Sequence, residues 1–383
     1  MKKRNSNLEL MRILSMFLIV LHHYSIHGMG TDLAYSINRY ITAILVLGGQ
    51  LGVVIFVLIS GYYMCQINFS IKSQVTKIAK LVGQVIFYSI LFINVAYIIS
   101  KNVLGYADIL NNARVGFGIK QYLNAILPIG YSTYWFATDY IVLMICSPLL
   151  NVILKNIEKK RLKMYLLIFT FLWSVIPILT NAEYDYNNIV WFMVLYLYAG
   201  YIRLYVKLNE KYKRNLLIAI FIYIVIILSA IIMTFVGNYT EIKMLTTFSN
   251  HFAITNSPFI LLCGIELLLF FVKLKPYYSN IINIIASATF GVYLIHDNVY
   301  IRQFIWKYIL GLPQSVYNKD YLIVHAFISV IIVYTICTLI ELMRQYTIER
   351  VYMKIVNCTI ERFKERSFKI VKKLYGLFDI FIK

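Results

Sequence analysis

Long apolar stretches alternate with short polar segments along almost the whole chain. A membrane-spanning helix needs about 20 mostly apolar residues, and stretches long enough to span occur ten times in the 383 residues. They lie near residues 8–27, 41–65, 80–100, 134–154, 163–180, 189–206, 215–237, 257–274, 280–300 and 321–343. The pattern predicts an all-α protein, a polytopic membrane helix bundle with about ten transmembrane helices.

The distribution of basic residues predicts the orientation of these helices. With a cytoplasmic N-terminus, the segments facing the cytoplasm hold 28 lysines and arginines and the outside loops hold 8. The inside segments are 1–7, 66–80, 155–163, 203–214, 273–280 and 344–383. This asymmetry follows the positive-inside rule and predicts both termini in the cytoplasm. It also explains the net charge of +20, so we expect contact with a lipid bilayer and no nucleic-acid partner.

Composition supports the membrane assignment and narrows the chemistry. Hydrophobic residues make up 60% of the chain and charged residues 14%, which leaves too little polar surface for a soluble protein. The five cysteines show no metal-ligand spacing, so we expect neither a disulfide framework nor a metal site. The first apolar segment lacks an A-x-A cleavage site and is predicted to remain as a transmembrane helix.

Two regions follow from this organisation. Residues 1–343 form the predicted membrane domain, and residues 344–383 form a tail with ten basic residues among apolar ones. Such a mixture is typical of an amphipathic helix on the anionic inner leaflet. A frayed basic tail fits the same composition.

The first predicted helix carries an arginine and a histidine on one face. Arg12 and His23 are eleven residues apart, which at 100° per residue is three turns plus about 20°, with a rise of roughly 16 Å. His22 points about 80° away from that line. Arg12 suits either an interfacial anchor paired with Glu9 or a phosphate contact. His23 suits either an interhelical hydrogen bond or a general base, because burial favours the neutral imidazole.

Several stretches together resemble the acyltransferase-3 family of integral-membrane acyltransferases. The first helix opens with N-x-E-L-x-R and places ten residues between Arg12 and His23. "GVVIFVLISGYYM" (52–64), "YWFATDYIVLMICSPLLN" (134–151) and "TFGVYLIH" (289–296) follow in the family's order. The resemblance covers nearly the whole chain.

The resemblance implies a ten-helix enzyme that transfers an acyl group, most often acetyl, from cytoplasmic acyl-CoA. The acceptor is usually a hydroxyl of a cell-envelope or exported glycan. It implies that His23 is the essential histidine and Arg12 its partner, with acetyl-CoA as donor substrate and no bound cofactor. The Lys, Asn, Ile and Tyr content suggests a bacterial source, hence a multi-pass protein of the bacterial cytoplasmic membrane.

The sequence departs from the family pattern in two places. Lys72, Lys77 and Lys80 stand where many members have arginines, and lysine attracts phosphate without a bidentate fork. They are therefore candidate acyl-CoA phosphate contacts of lower specificity. Many members also carry a fused extracytoplasmic domain, so we expect this membrane domain to act alone or with proteins of envelope-polysaccharide biosynthesis.

Other polar residues near the predicted outer surface are candidates for supporting roles. His296 lies at a depth similar to His23 and could orient the acceptor or the catalytic imidazole; a structural polar pair with Asp297 is equally reasonable. Asp139 and Trp135 lie near the outer end of the fourth helix, where aromatic residues are also expected as an interfacial belt. Glu266 falls in the middle of the eighth stretch and requires a partner.

A second class of function fits the same composition. A transporter or flippase for a glycan or lipid-linked glycan would move substrate without chemistry, but such proteins often show two symmetric halves, and the sequence shows no repeat. A structural or sensory subunit would leave the alignment of Arg12 with His23 unexplained. The membrane O-acyltransferase is therefore the leading hypothesis. In it, His23 either removes the proton of the acceptor hydroxyl during direct transfer or briefly carries the acyl group itself.

Overall fold

All regular structure in the described part of the chain is helical. The computed structural model describes residues 5–29, 37–68, 70–112, 115–131, 133–180, 187–207, 211–311 and 320–362. We label the ten long helices in chain order. They are α1 (Ser6–His23), α2 (Ile37–Met64), α3 (Ile71–Asn102), α4 (Trp135–Asn156), α5 (Lys159–Thr180), α6 (Asn188–Tyr205), α7 (Tyr212–Tyr239), α8 (Pro258–Lys273), α9 (Asn280–His296) and α10 (Leu322–Tyr346).

Each of the ten predicted stretches corresponds to one of these helices. Within the described residues, eight spans are long and apolar enough to cross a membrane. The helices α6 and α9, with 18 and 17 residues, complete the set. The prediction of a polytopic helical membrane bundle is confirmed, whereas the cytoplasmic location of the termini stays a prediction.

Shorter helical segments join the long helices. They are Tyr24–Met29, Tyr106–Asn112, Ile119–Ile126, Lys243–Thr247, His251–Ala253 and Phe304–Ile309. Tyr24–Met29 is π-helical and continues directly from α1. Single π turns are frequent at functional sites, and this one carries the third histidine of the N-terminal segment, His27.

The helix α1 lies at the centre of the bundle, against α2, α8, α9 and α10. A Cβ added to Gly52 of α2 would lie 2.4 Å from the Ser15 carbonyl oxygen of α1. The two backbones are therefore in direct contact, which small residues permit between membrane helices. The helix α2 is the most buried of the candidate spans and α7 the most exposed, so α7 presents its apolar side chains to lipid.

A buried ion network joins α10 to α3 at the end predicted to face the cytoplasm. Arg344 bonds to Glu341 at 2.8 Å and to Glu349 at 2.6 Å. The Tyr88 hydroxyl donates to Glu341 at 2.8 Å. Because both acids satisfy the guanidinium, the buried Arg344 charge is compensated.

The helical part of the predicted tail packs against α3. Residues 348–362 are helical, Glu349 lies 2.6 Å from the Lys80 ammonium, and the Tyr352 hydroxyl donates to the Lys80 carbonyl at 3.1 Å. The described part of the tail, residues 348–362, is therefore a helix docked on α3, whereas the division into a membrane domain and a tail stays a prediction. The remainder of the tail, 363–383, lies outside the described residues, and contact with the inner leaflet stays a prediction.

Candidate active site

The end of α1 and the end of α9 bring together residues that are far apart in sequence. His23 is the last residue of α1, and His296 is the last residue of α9. The His23 Nδ1 atom lies 2.8 Å from His296 Nε2. Both residues are buried, with His296 completely enclosed. His296, which the sequence predicted only at a depth similar to that of His23, is thus in direct contact with the His23 ring.

The hydrogen bonds fix which nitrogen of each ring carries a proton. His296 Nδ1 lies 2.6 Å from the Val292 carbonyl oxygen, and a carbonyl can only accept, so Nδ1 is the protonated nitrogen. In the neutral ring, Nε2 then accepts from His23 Nδ1–H. The lone pair of His23 is consequently on Nε2, the atom that a general base or a nucleophile uses.

A carboxylate lies on the Nε2 side of the His23 ring. Asp297 follows α9 directly, and its Oδ1 atom is 3.8 Å from His23 Nε2 and 3.1 Å from His27 Nε2. The Arg302 guanidinium is 3.7 Å from the same oxygen. An imidazolium formed on His23 would therefore face a negative charge, and His27 and Arg302 hold that charge in place.

The neighbouring histidine of α1 has a different environment. His22 Nδ1 lies 2.7 Å from the Val46 carbonyl oxygen of α2, while its ring is edge-on to His23 with centroids 5.4 Å apart. A Cβ on Gly49 would lie 2.4 Å from His22 Cγ, so the absence of a side chain at 49 makes room for the ring. The predicted divergence of His22 from the His23 side agrees with these contacts.

Three of these side chains could also bind a metal ion. His23, His27 and Asp297 each offer one ligand atom, and the three atoms lie within 4.8 Å of one another. Two histidines and a carboxylate are a donor set that Zn²⁺ accepts. No sequence spacing indicates this group, because Asp297 is 270 residues from His27. The expectation that the protein has no metal site stays a prediction.

Nearer the N-terminal end of α1, the surroundings of Arg12 are compatible with both predicted roles, an anchor paired with Glu9 and a phosphate contact. Its Nη1 atom is 2.9 Å from Glu9 Oε2, and its guanidinium lies 5.8 Å from the centroid of the Phe56 ring. Its Nε atom is buried without a hydrogen-bond partner among the described residues. The Glu9 pair anticipated from the sequence is present, and an unused donor remains for an anionic ligand.

The three lysines of α3 have unequal surroundings. Lys72 pairs with Glu361 and Lys80 with Glu349, so both ammonium groups already contact tail carboxylates. Lys77 instead lines a small cavity between the start of α3 and the ends of α2 and α4. Of these three lysines, Lys77 is the one best placed for an external anion.

Trp135 and Asp139 are separated from the histidines by a layer of aromatic side chains. The Trp135 ring contacts Phe136 and Phe192, and Phe136 in turn contacts Tyr293, whose ring lies 6.4 Å from His296. Asp139 is near enough to Tyr293 to interact with it electrostatically. Both residues could support the site through this aromatic layer, but the structure does not bring them against His23.

The carboxylate of Glu266, in the middle of α8, has a hydrogen-bond partner on α7. The Asn215 amide of α7 donates to Glu266, and its carbonyl oxygen accepts from Lys273 at 2.8 Å. This chain connects the carboxylate to a cation at the helix end. These bonds between α7 and α8 are those of a structural contact.

Sequence reasoning identified His23 and His296 but not the roles of His27 and Asp297. His27 follows His23 by one helical turn, a spacing that already indicated proximity. Asp297 was recognised only as a neighbour of His296. It follows the last residue of α9, so helical periodicity cannot predict which way its side chain points. Its position opposite two histidines depends on how α9 ends.

Comparison with known proteins yields one match. A sequence model of the acyltransferase-3 family, described as an acyltransferase domain, matches residues 5–342. No curated protein and no solved structure matches the chain.

Proposed function

Because the chain belongs to the acyltransferase-3 family, we propose that it transfers an acetyl group from cytoplasmic acetyl-CoA to a hydroxyl of a cell-envelope or exported glycan. Membership makes the protein a membrane acyltransferase. The donor, the acceptor class and a location in the bacterial cytoplasmic membrane are the proposed parts. The observation that supports acyl transfer at this site is the buried His23 ring, whose Nδ1–H is held by His296 and whose Nε2 is left with a lone pair.

In the proposed step, His23 acts as a general base. Its Nε2 atom takes the proton of the acceptor hydroxyl while the oxygen attacks the thioester carbonyl. A C–O bond forms and the C–S bond breaks, releasing the CoA thiolate, which takes the proton back from His23. Asp297, 3.8 Å from Nε2, stabilises the transient imidazolium, and His296 holds the ring orientation.

Arg12 has the donor-side role in this proposal. It lies eleven residues before His23 on a continuous helix, roughly 16 Å away along the axis. A phosphate bound at Arg12 would leave the pantetheine arm to extend along α1 toward His23. Since Arg12→Lys keeps the charge but loses the planar fork, we expect this variant to raise the KM for acetyl-CoA with partial activity, and Arg12→Ala to raise it further.

An assay for acetyl transfer distinguishes the proposed acyltransferase from a transporter. Purified protein in nanodiscs is given acetyl-CoA labelled in the acetyl group together with candidate glycans, and CoA thiol release and label in the glycan are measured. We expect the two to appear in equal amounts and only when both substrates are present. Movement of glycan across vesicles with no thiol release would contradict the proposal and favour the transporter.

A further inference from the structure

A polar cavity lies beside the His23 site, on the other side of the His22 ring. It has a volume of about 310 Å³ and is open to the surface. Its walls come from the end of α1, the first half of α2 and the segment before α8. All three belong to the side of the membrane predicted to be outside, where an exported acceptor would arrive.

The cavity presents several uncharged hydrogen-bonding groups. His22 donates from Nδ1 to the Val46 carbonyl, so its Nε2 atom is an acceptor in the neutral ring. Gln50 uses its carbonyl oxygen to accept from Thr255, which leaves its amide nitrogen as a donor. The Asn250 carbonyl oxygen is buried without a hydrogen-bond partner among the described residues. An unpaired buried acceptor is costly, and rotation of the Asn250 side chain toward the cavity that it lines would let a ligand hydroxyl satisfy it.

The remaining walls indicate the chemical class of the ligand. Val46, Leu47, Ala253 and Ile254 supply an apolar surface, and among the described residues no Lys, Arg, Asp or Glu lines the cavity. An apolar wall with a few fixed donors and acceptors is typical of sites for small ligands. Hydroxyl groups on an otherwise C–H-rich ring match it, whereas a phosphate or carboxylate would find no cation.

The position of the cavity connects it to the chemistry. His22 forms its wall and is also in edge contact with His23, with ring centroids 5.4 Å apart. A group held against His22 is therefore one imidazole ring away from His23, near the His23 end of α1 and not near Arg12. By contrast, Tyr106 in the connection 101–133 is fully buried and its ring packs on Phe304.

We propose that this cavity is the acceptor subsite and that it selects an uncharged sugar residue through His22, Gln50 and Asn250. The proposal rests on the proposed acetyl transfer to a glycan and adds where the acceptor binds and what charge it carries. Donor binding at Arg12 is separate from it. Substitutions in the cavity should therefore affect the acceptor and leave the donor unaffected.

Binding to the full-length protein tests the subsite without requiring turnover. Saturation-transfer NMR in nanodiscs would use a neutral probe, a tetramer of N-acetylglucosamine, and an anionic probe, a tetramer of galacturonate. We expect the neutral probe alone to bind the wild type. Loss of one neutral hydrogen bond costs about 0.5–1.5 kcal/mol, so Gln50→Ala and Asn250→Ala should each weaken binding about 2- to 10-fold.

The matched control is Asn156→Ala, which removes an exposed amide that bonds only within its own helix, and it should bind like the wild type. Unchanged binding in the Gln50→Ala, Asn250→Ala double variant would overturn the subsite, as would preferential binding of the anionic probe or no binding of the neutral one. Acetyl-CoA-dependent thiol release measured in the same samples reports on the proposed function separately. Release in the wild type together with unchanged neutral-probe binding in the double variant would refute the subsite alone.

Discussion

The His23 ring is oriented by a second histidine that is itself fixed to the backbone. His296 is held by the Val292 carbonyl at 2.6 Å and by the edge of the Trp306 ring. This chain of contacts selects the tautomer of His23, because only one nitrogen of His296 is left to accept. The role of His296 is therefore one of positioning, since it acts on the reaction through His23.

Replacing His296 should lower turnover without weakening donor binding. His296→Ala removes the acceptor for His23 Nδ1–H, so the ring can rotate or change tautomer, and we expect kcat to fall about 10²-fold or more. The KM for acetyl-CoA should stay within about twofold, because Arg12 is at the other end of the helix. His296→Gln offers an amide oxygen in place of Nε2 and should recover part of kcat. Equal losses in both variants, accompanied by loss of folded protein, would mean that His296 only supports packing.

At the level of single residues, the sequence singled out His23 and His296, whose rings are in contact, while their roles stay predictions. Helical spacing predicts Arg12 and His23 on one face because both lie within one regular element, and this shared face also stays a prediction. It could not identify Asp297 as the carboxylate facing His23 and His27, because that contact spans about 270 residues. The direction of a polar side chain that follows the end of a helix cannot be predicted from helical periodicity.

The helices themselves were the most predictable level of structure. Membrane helices must satisfy every backbone group internally, so their apolar length alone locates them. The details that depend on packing were not predictable: the turn at Leu47 within α2, the π turn at Tyr24–Met29 and the docking of residues 348–362 on α3. The last of these links the tail to the bundle through an ion network and leads to a test of stability.

Within this element, Glu349 should matter for stability rather than catalysis. It satisfies the buried Arg344 at 2.6 Å and also contacts Lys80, and breaking a buried ion pair from one side costs about 3–5 kcal/mol. We expect Glu349→Gln to lower the thermal unfolding temperature in detergent while the rate per folded molecule is unchanged. Glu361→Gln is the matched control, because it disrupts an exposed pair with Lys72, and exposed pairs contribute about 0–1 kcal/mol. A loss of turnover in well-folded Glu349→Gln protein would show that the tail contributes to the active site.

For the whole molecule, the arrangement of charge predicts an inside and an outside. The excess of 28 basic residues over 8 across the connecting segments predicts that the Arg12 end of α1 faces the cytoplasm and that His23 lies toward the outer side. This polarity matches a donor that arrives from inside and an acceptor that arrives from outside. The orientation is therefore part of the proposed function as well as of the fold.

Topology can be measured directly with reporter tags. Tags at both termini should report a cytoplasmic location, and a tag inserted within 101–133 should report an external one. The physical reason is that basic residues near helix ends resist translocation. A C-terminus found outside would require an odd number of spans and contradict the ten-helix arrangement.

The central claim is that His23 performs the chemistry. The turnover number of a protein that lacks this histidine tests the claim most directly. The measurement is the rate of acetyl transfer to saturating acceptor, per folded molecule, for wild type, His23→Ala and the control His325→Ala, whose ring bonds to Tyr24. We predict that His23→Ala loses about 10²- to 10⁴-fold in kcat, as expected for removal of a general base, while the control stays near the wild-type rate. A well-folded His23→Ala protein that still acetylates its glycan at near the wild-type rate would contradict the account and make this histidine a structural contact of His296.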